Sequence, residues 1–355
     1  AISEPVPQTN WYLVLGDVDC TVTLIGTDAG CWAATSGGAA PTTVPAAGSN
    51  VFMDAASGAG TGTLDASMNV TTGTYSSAGF TGTFAIATFT FQNTGTFTHS
   101  GGTITISTGS LDVGAATVST SLTTSGAASI TMDGLTLSGS TIAKGTASLT
   151  IQGNLTMSGG DITSTSGTTS VTGNVNISAA TSAIDFGSEA WTVSGTWTNA
   201  STDGTVWESG TGSILFDSAT GGTMTFAGTN LVEAEFNSAT FTSSAGTAQT
   251  FTMATRGLRW LTTLTVSDTV STTALATTDL ALGAAADAAD VVVGNGGILT
   301  ANASTVLVNG VTMTGGTSGT ITVTTGAWTV SGSWNTSGLG STYTQGTGIV
   351  TFSAT

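Results

Sequence analysis

The sequence predicts an all-β protein, a parallel β-solenoid (β-helix) with an N-terminal cap. Three observations predict it. First, 78 of the 355 residues are Thr and 41 are Ser, and Thr, with Val and Ile, fits a pleated sheet and disfavours helix. Second, apolar and polar residues alternate in short runs, the period of a half-buried strand. Third, those runs break at glycines that recur once per unit, at Gly134, Gly153, Gly173 and Gly195. A unit of about twenty residues cannot bury its own apolar face, whereas stacked units can.

Disorder is the competing reading of a chain with only 6% charged residues. Disordered chains lack aromatic and β-branched residues. This one holds 8 Trp and 13 Phe. The net charge is −17, from 20 acidic against 3 basic residues. Nothing here could neutralise a row of phosphates, so nucleic acid is excluded as a partner. No apolar run is long enough to span a membrane as a helix.

Along the chain, residues 1–65 read as a leader and cap. All four prolines, Pro5, Pro7, Pro41 and Pro45, lie there, with the most hydrophobic run, Trp11 to Leu15. Ala1-Ile2-Ser3-Glu4 reads as a mature end left by signal cleavage. Cys20 and Cys31 are the two cysteines of the chain. A local pair of this kind suits one disulfide staple in an extracellular protein; two unrelated buried thiols are the alternative.

Residues 66–355 read as the solenoid. At about twenty residues per coil they give roughly 15 coils. Each coil is expected to be a bent pair of short strands followed by a Gly/Ser-rich return. Ile130, Met132, Leu135, Leu137, Leu149, Ile151, Leu155, Met157, Val171, Val175 and Ile177 are expected to point inward. The glycines between the paired strands are expected where a side chain would clash. A longer repeat is superposed on this one. WTVSGTWTN begins at Trp191 and WTVSGSWNT at Trp328, with a weaker copy from Phe91 to Ser107. They read as duplicated coils. Residues 217–300 lose the clean period, and Ala284 to Ala289 is the one candidate for a short helix or surface loop.

With these units in view, the chain resembles secreted parallel β-helix surface proteins of bacteria, archaea and their viruses, adhesin-like chains with autotransporter-type repeats. The residues that carry the resemblance are WTVSGTWTN, TQGTGIVTF, the stretch Leu299 to Thr305, and the cap segment Trp32 to Ala55. It implies a location outside the cell and an architecture. It transfers no catalytic residues.

Catalytic material is sparse. His99 is the one histidine, and a triad needs an orienting acid and a nucleophile as well. We expect His99 to be an exposed strand or turn residue. Arg256 and Arg259 beside Trp260 could contact a sugar or carboxylate; pairing with Glu233 and Glu235 is the simpler expectation. Asp17, Asp19 and Asp28 offer hard oxygen ligands that suit Ca²⁺, against ordinary turn aspartates. No other cofactor is expected. Asn69, Asn154, Asn176, Asn199, Asn302 and Asn335 begin glycosylation sequons, at a frequency that abundant Ser and Thr produce by chance.

The expected function is structural and non-enzymatic: an extracellular, cell-surface fibre or coat subunit that stacks on copies of itself. The expected contacts are the leader residues Ser3, Glu4, Pro5, Val6 and Pro7 against the strand edge at Val350, Thr351 and Phe352. The alternative is an adhesin or viral tail-fibre-like appendage that binds glycans or a host surface.

Overall fold

The computed structural model describes residues 10–15, 25–39, 43–201, 209–226, 235–244, 248–254, 258–268, 273–277, 282–284, 289–314 and 319–353. The chain is a parallel β-solenoid of about 12 turns. The helices among the described residues are two single 3₁₀ turns, Ala29–Cys31 and Ala55–Ser57. No helix there is long and apolar enough to cross a membrane. Two compact units form, Ala1–Thr169 and Ser170–Thr355.

In the first unit each coil has three strands, one more than expected. One face stacks Thr90–Asn93, Ser110–Val118, Ser129–Gly145 and Ser148–Ile151, so that Phe91, Leu111, Ile130 and Leu149 form one inward row. The next face aligns Phe97, Ala116, Leu135 and Leu155. The third aligns Phe84, Ile104, Leu122, Ile142 and Ile162. That third face is the expected Gly/Ser-rich return. It reads as a loop in sequence because many of its strands carry one central apolar residue among hydroxyls and glycines. Yet Ile104, Leu122, Ile142 and Ile162 are as buried as the rest. Full burial of such a side chain stabilises by roughly 1.5–3 kcal/mol, so the third face is a full wall of the core.

All eleven expected core residues are buried. The alternation therefore placed the register correctly, since a slip of one residue would have turned every one outward. The rungs are evenly spaced here, Leu111 stacking on Ile130 and Ile130 on Leu149.

In the second unit the coils lengthen. Ile214 stacks on Ala239, Ala239 on Leu264 and Leu264 on Val291, each a longer step along the chain than any between Leu111 and Leu149. The step shortens again from Val291 to Val311. The loss of period after residue 217 is thus a lengthening of coils with unbroken strand stacking, and it accounts for fewer turns than a constant period predicts. Ala284 ends a strand, Leu282–Ala284; residues 285–288 of the expected helix or loop lie outside the described residues.

The longer repeat is a repeat of a corner, and the two tryptophan copies sit out of phase. Trp191 belongs to the face that continues through Ile214, Ala239, Leu264, Val291, Val311 and Trp334. Trp328 belongs to the face before it in the coil, stacked between Val306 and Val350. The same strand, Ser-Gly corner and strand therefore serve two different corners. The motif encodes a local bend, and the position in the coil comes from what it stacks on.

The glycine expectation holds at two corners and fails at one. A Cβ on Gly153 would lie 2.3 Å from the Asp133 carbonyl oxygen, and one on Gly195 would lie 2.4 Å from that of Gly173. A Cβ on Gly134 would meet only the Asn154 oxygen, at 3.7 Å.

Parallel stacking reaches into the first part of the chain, where a cap was expected. Asn10–Leu13 stacks in parallel on Asn50–Phe52 and pairs antiparallel with Trp32–Ala33. Trp32 is fully buried and its indole Nε1 donates to Ile25 O at 2.8 Å. Thr27 ties this segment to Asp65 through its backbone N, at 2.9 Å, and its hydroxyl.

Candidate functional site

His99 is not exposed. It is fully buried at the end of the strand Phe97–His99. Its Nε2 lies 3.1 Å from Ser121 O. A carbonyl oxygen only accepts, so Nε2 carries the proton and Nδ1 accepts from Ser77 Oγ at 2.9 Å. Ser77 Oγ in turn accepts from the backbone N of Ser100 and of Gly101, at 3.0 and 3.1 Å. The imidazole thus bonds to the coil on either side. Burial pulls its pKa down to about 4, against a smaller opposing effect from the Ser121 carbonyl. A local sequence of Thr-His-Ser reads as a polar turn; only the rungs on either side, each about a coil away, reveal a buried cross-link.

Lys144 is the one lysine of the chain and it too is fully buried. It extends the inward row of the third face, and its Nζ donates to the carbonyls of Ala147 at 2.7 Å and Ser166 at 3.4 Å. Sequence reasoning passed over it, because a lone lysine is ordinarily solvated.

Arg259 and Glu235 pair as expected, Nε to Oε2 at 3.0 Å, on adjacent rungs. Ser209 Oγ donates to the other carboxylate oxygen at 3.1 Å. Arg256 and Glu233 lie outside the described residues. The Trp260 indole Nε1 donates to Asp290 O, and its ring is buried, so it presents no aromatic platform to a sugar.

Of the aspartates considered for Ca²⁺, Asp28 caps the turn Ala29–Cys31 by accepting from Gly30 N at 2.9 Å. Asp17 and Asp19 lie outside the described residues. No group of three His, Cys, Asp or Glu side chains among the described residues could hold a metal. Cys31 is fully buried beside Trp32. Cys20 lies outside the described residues, as do Ser3, Glu4, Pro5, Val6 and Pro7. Among the sequons, Asn199 is buried with its Oδ1 accepting from Ser201 N, while Asn69, Asn154, Asn176 and Asn335 are exposed.

Val350, Thr351 and Phe352 form the strand Ile349–Phe352, stacked on Ala327–Val330. Phe352 continues the inward row of Val308 and Val330, both buried, yet it is 61% exposed. Ile349 is 67% and Leu339 80% exposed. Trp334 and Tyr343 continue the inward rows of Val311 and Ile321. Trp334 meets the rings of Trp328, Tyr343 and Phe352 at centroid distances of 5.8, 5.2 and 6.1 Å. Where the preceding coil has Val311, Ile321 and Val330, this one has three large rings.

The first unit carries a groove of about 450 Å³ at the bend between its first two faces. Its rim includes Asp133 and Asn154, its floor Gly134 and Gly153, and one wall the hydroxyl row Thr117, Thr136 and Thr156. Register explains Asn154. Met132 pairs with Ile151 but Leu135 pairs with Leu155, so the turn between the strands Ser148–Ile151 and Leu155–Ser164 holds one residue more than the stretch it stacks on.

Compared with known proteins, the chain matches no protein family, no curated protein sequence and no solved structure.

Proposed function

We propose that the chain is a structural protein, an extracellular subunit of a surface fibre or coat in which the coils of one copy stack on those of another. The observation that carries this reading is the parallel rung-on-rung pairing of the coils, which the strand Ile349–Phe352 continues on Ala327–Val330. That strand is in register with the core, but Phe352 stays 61% exposed. Residues 342–353 hold no charge and no proline, the features with which natural strand edges resist pairing. Aromatic side chains such as Trp334, Tyr343 and Phe352 are favoured anchors of interfaces.

Charge supports the same face. The chain carries −17, yet residues 291–355 contain no Asp, Glu, Lys or Arg. Two copies repel through their acidic parts, and this region is where they approach at least electrostatic cost. Placement outside the cell is supported by the scarcity of cysteine beyond one local pair. Catalysis is no part of the reading, because both nitrogens of the single imidazole are engaged in the core.

Electron microscopy and light scattering of the purified chain test this. The unaltered protein is expected to form filaments or stacked oligomers. Phe352→Asp, which places a charge on the exposed row, is expected to leave the circular dichroism spectrum unchanged and abolish assembly. A protein that stays monomeric at high concentration refutes the assembly reading and leaves the surface-binding appendage in its place.

A further inference from the structure

We infer that the groove at 115–156 is a binding site for a neutral, linear polysaccharide. The first observation is Gly134. Its φ is not in the left-handed region, and a Cβ there would meet nothing closer than 3.7 Å. Glycine in a strand weakens it, and here neither backbone conformation nor packing asks for one. What the missing side chain leaves open is the floor of the groove. Gly153, the next floor residue, differs, because a Cβ there would strike backbone.

The second observation is size and regularity. A volume of about 450 Å³ falls within the range of roughly 300–1,000 Å³ that ligand sites occupy. The hydroxyls of Thr117, Thr136 and Thr156 repeat once per rung, about 4.8 Å apart. That repeat suits a ligand whose own hydroxyls recur along an extended chain.

The third is charge, which selects among polymers. The groove holds one carboxylate, Asp133, and no basic residue. Lys144 is buried, and Arg259 is paired with Glu235. An acidic polysaccharide is repelled by Asp133 and by the net charge of −17. No group of three His, Cys, Asp or Glu side chains among the described residues gathers around a divalent cation, and Asp133 is the one carboxylate of the groove. An apolar ligand would leave the hydroxyl wall without partners. The site lies within one unit, so a single copy and an assembled one both carry it, and it stands if the assembly reading fails.

Electrophoresis through gels cast with soluble β-glucan, mannan or polygalacturonate tests the inference. The unaltered protein is expected to be slowed by at least one of the neutral polymers and not by polygalacturonate. Gly134→Val fills the floor and is expected to restore free mobility with an unchanged melting temperature. Thr136→Val keeps the shape of the wall, removes one hydroxyl, and is expected to weaken retardation severalfold. It decides the matter if Gly134→Val proves unstable. Retardation absent from every neutral gel, equal in the unaltered protein and Thr136→Val, or strongest in polygalacturonate overturns the proposal.

Discussion

Acid should loosen the coils around His99, and the size of the effect follows from its burial. In an unfolded chain the imidazole titrates near 6.5; in the folded coil burial holds it at about 4. The folded state therefore resists a proton that the unfolded state accepts. Stability from this source is fully present above pH 6.5, is lost as pH falls from 6.5 to 4, and is constant below that. At about 1.36 kcal/mol per pKa unit the loss is about 3 kcal/mol. Geometry gives the same sign. A proton on Nδ1 would face a Ser77 oxygen that already accepts two backbone N–H groups. Tyr75 is the titratable ring beside it, at 6.5 Å, and burial pushes its hydroxyl up, so it stays neutral throughout.

The acidic residues also titrate in this range, so the measurement is a difference. Guanidinium unfolding of the unaltered protein and of His99→Gln should be compared at pH 7 and pH 4, with hydrogen exchange in residues 75–121 as the local readout. His99→Gln is expected to be the less stable at pH 7 and to lose about 3 kcal/mol less on acidification. An equal loss in both proteins, or an imidazole resonance titrating near 6.5, refutes the reasoning.

Ile151→Ala should cost about 2–5 kcal/mol, read as a fall in the unfolding midpoint with the β-sheet spectrum retained. Gly153→Ala should destabilise by about 1–3 kcal/mol through overpacking against the Asp133 carbonyl, whereas Gly134→Ala should be neutral or slightly stabilising; thermal melts of the two variants decide. Cys20 and Cys31 should resist alkylation in the unreduced protein and take up two alkyl groups after reduction, as mass measurement shows; if linked, their Cα atoms lie about 4.4–6.8 Å apart.

The inward residues of two faces were legible because each strand carries two apolar positions separated by one polar one. Ile130 with Met132 and Leu149 with Ile151 are such pairs, and two points define a period. Ile142 and Ile162 were missed because each stands alone in its segment, so no period exists to detect. Arg259 and Glu235 were matched by opposite charge. His99, Lys144 and the openness at Gly134 were not legible, since what surrounds each comes from the neighbouring coils.

By itself the sequence determined the strand class, the inward register and the solenoid architecture. These follow from alternation, β-branched composition and recurring glycine, all properties of a residue and its near neighbours. Tertiary structure alone decided the third strand of each coil, the face on which the Trp191 and Trp328 motifs lie, the burial of the single histidine and lysine, and which glycine opens a groove. The physical reason is the stacking. In a parallel solenoid each side chain meets the rungs on either side. A coil that lengthens, as the one from Leu264 to Val291 does relative to the one from Leu111 to Ile130, changes those partners without changing the local motif.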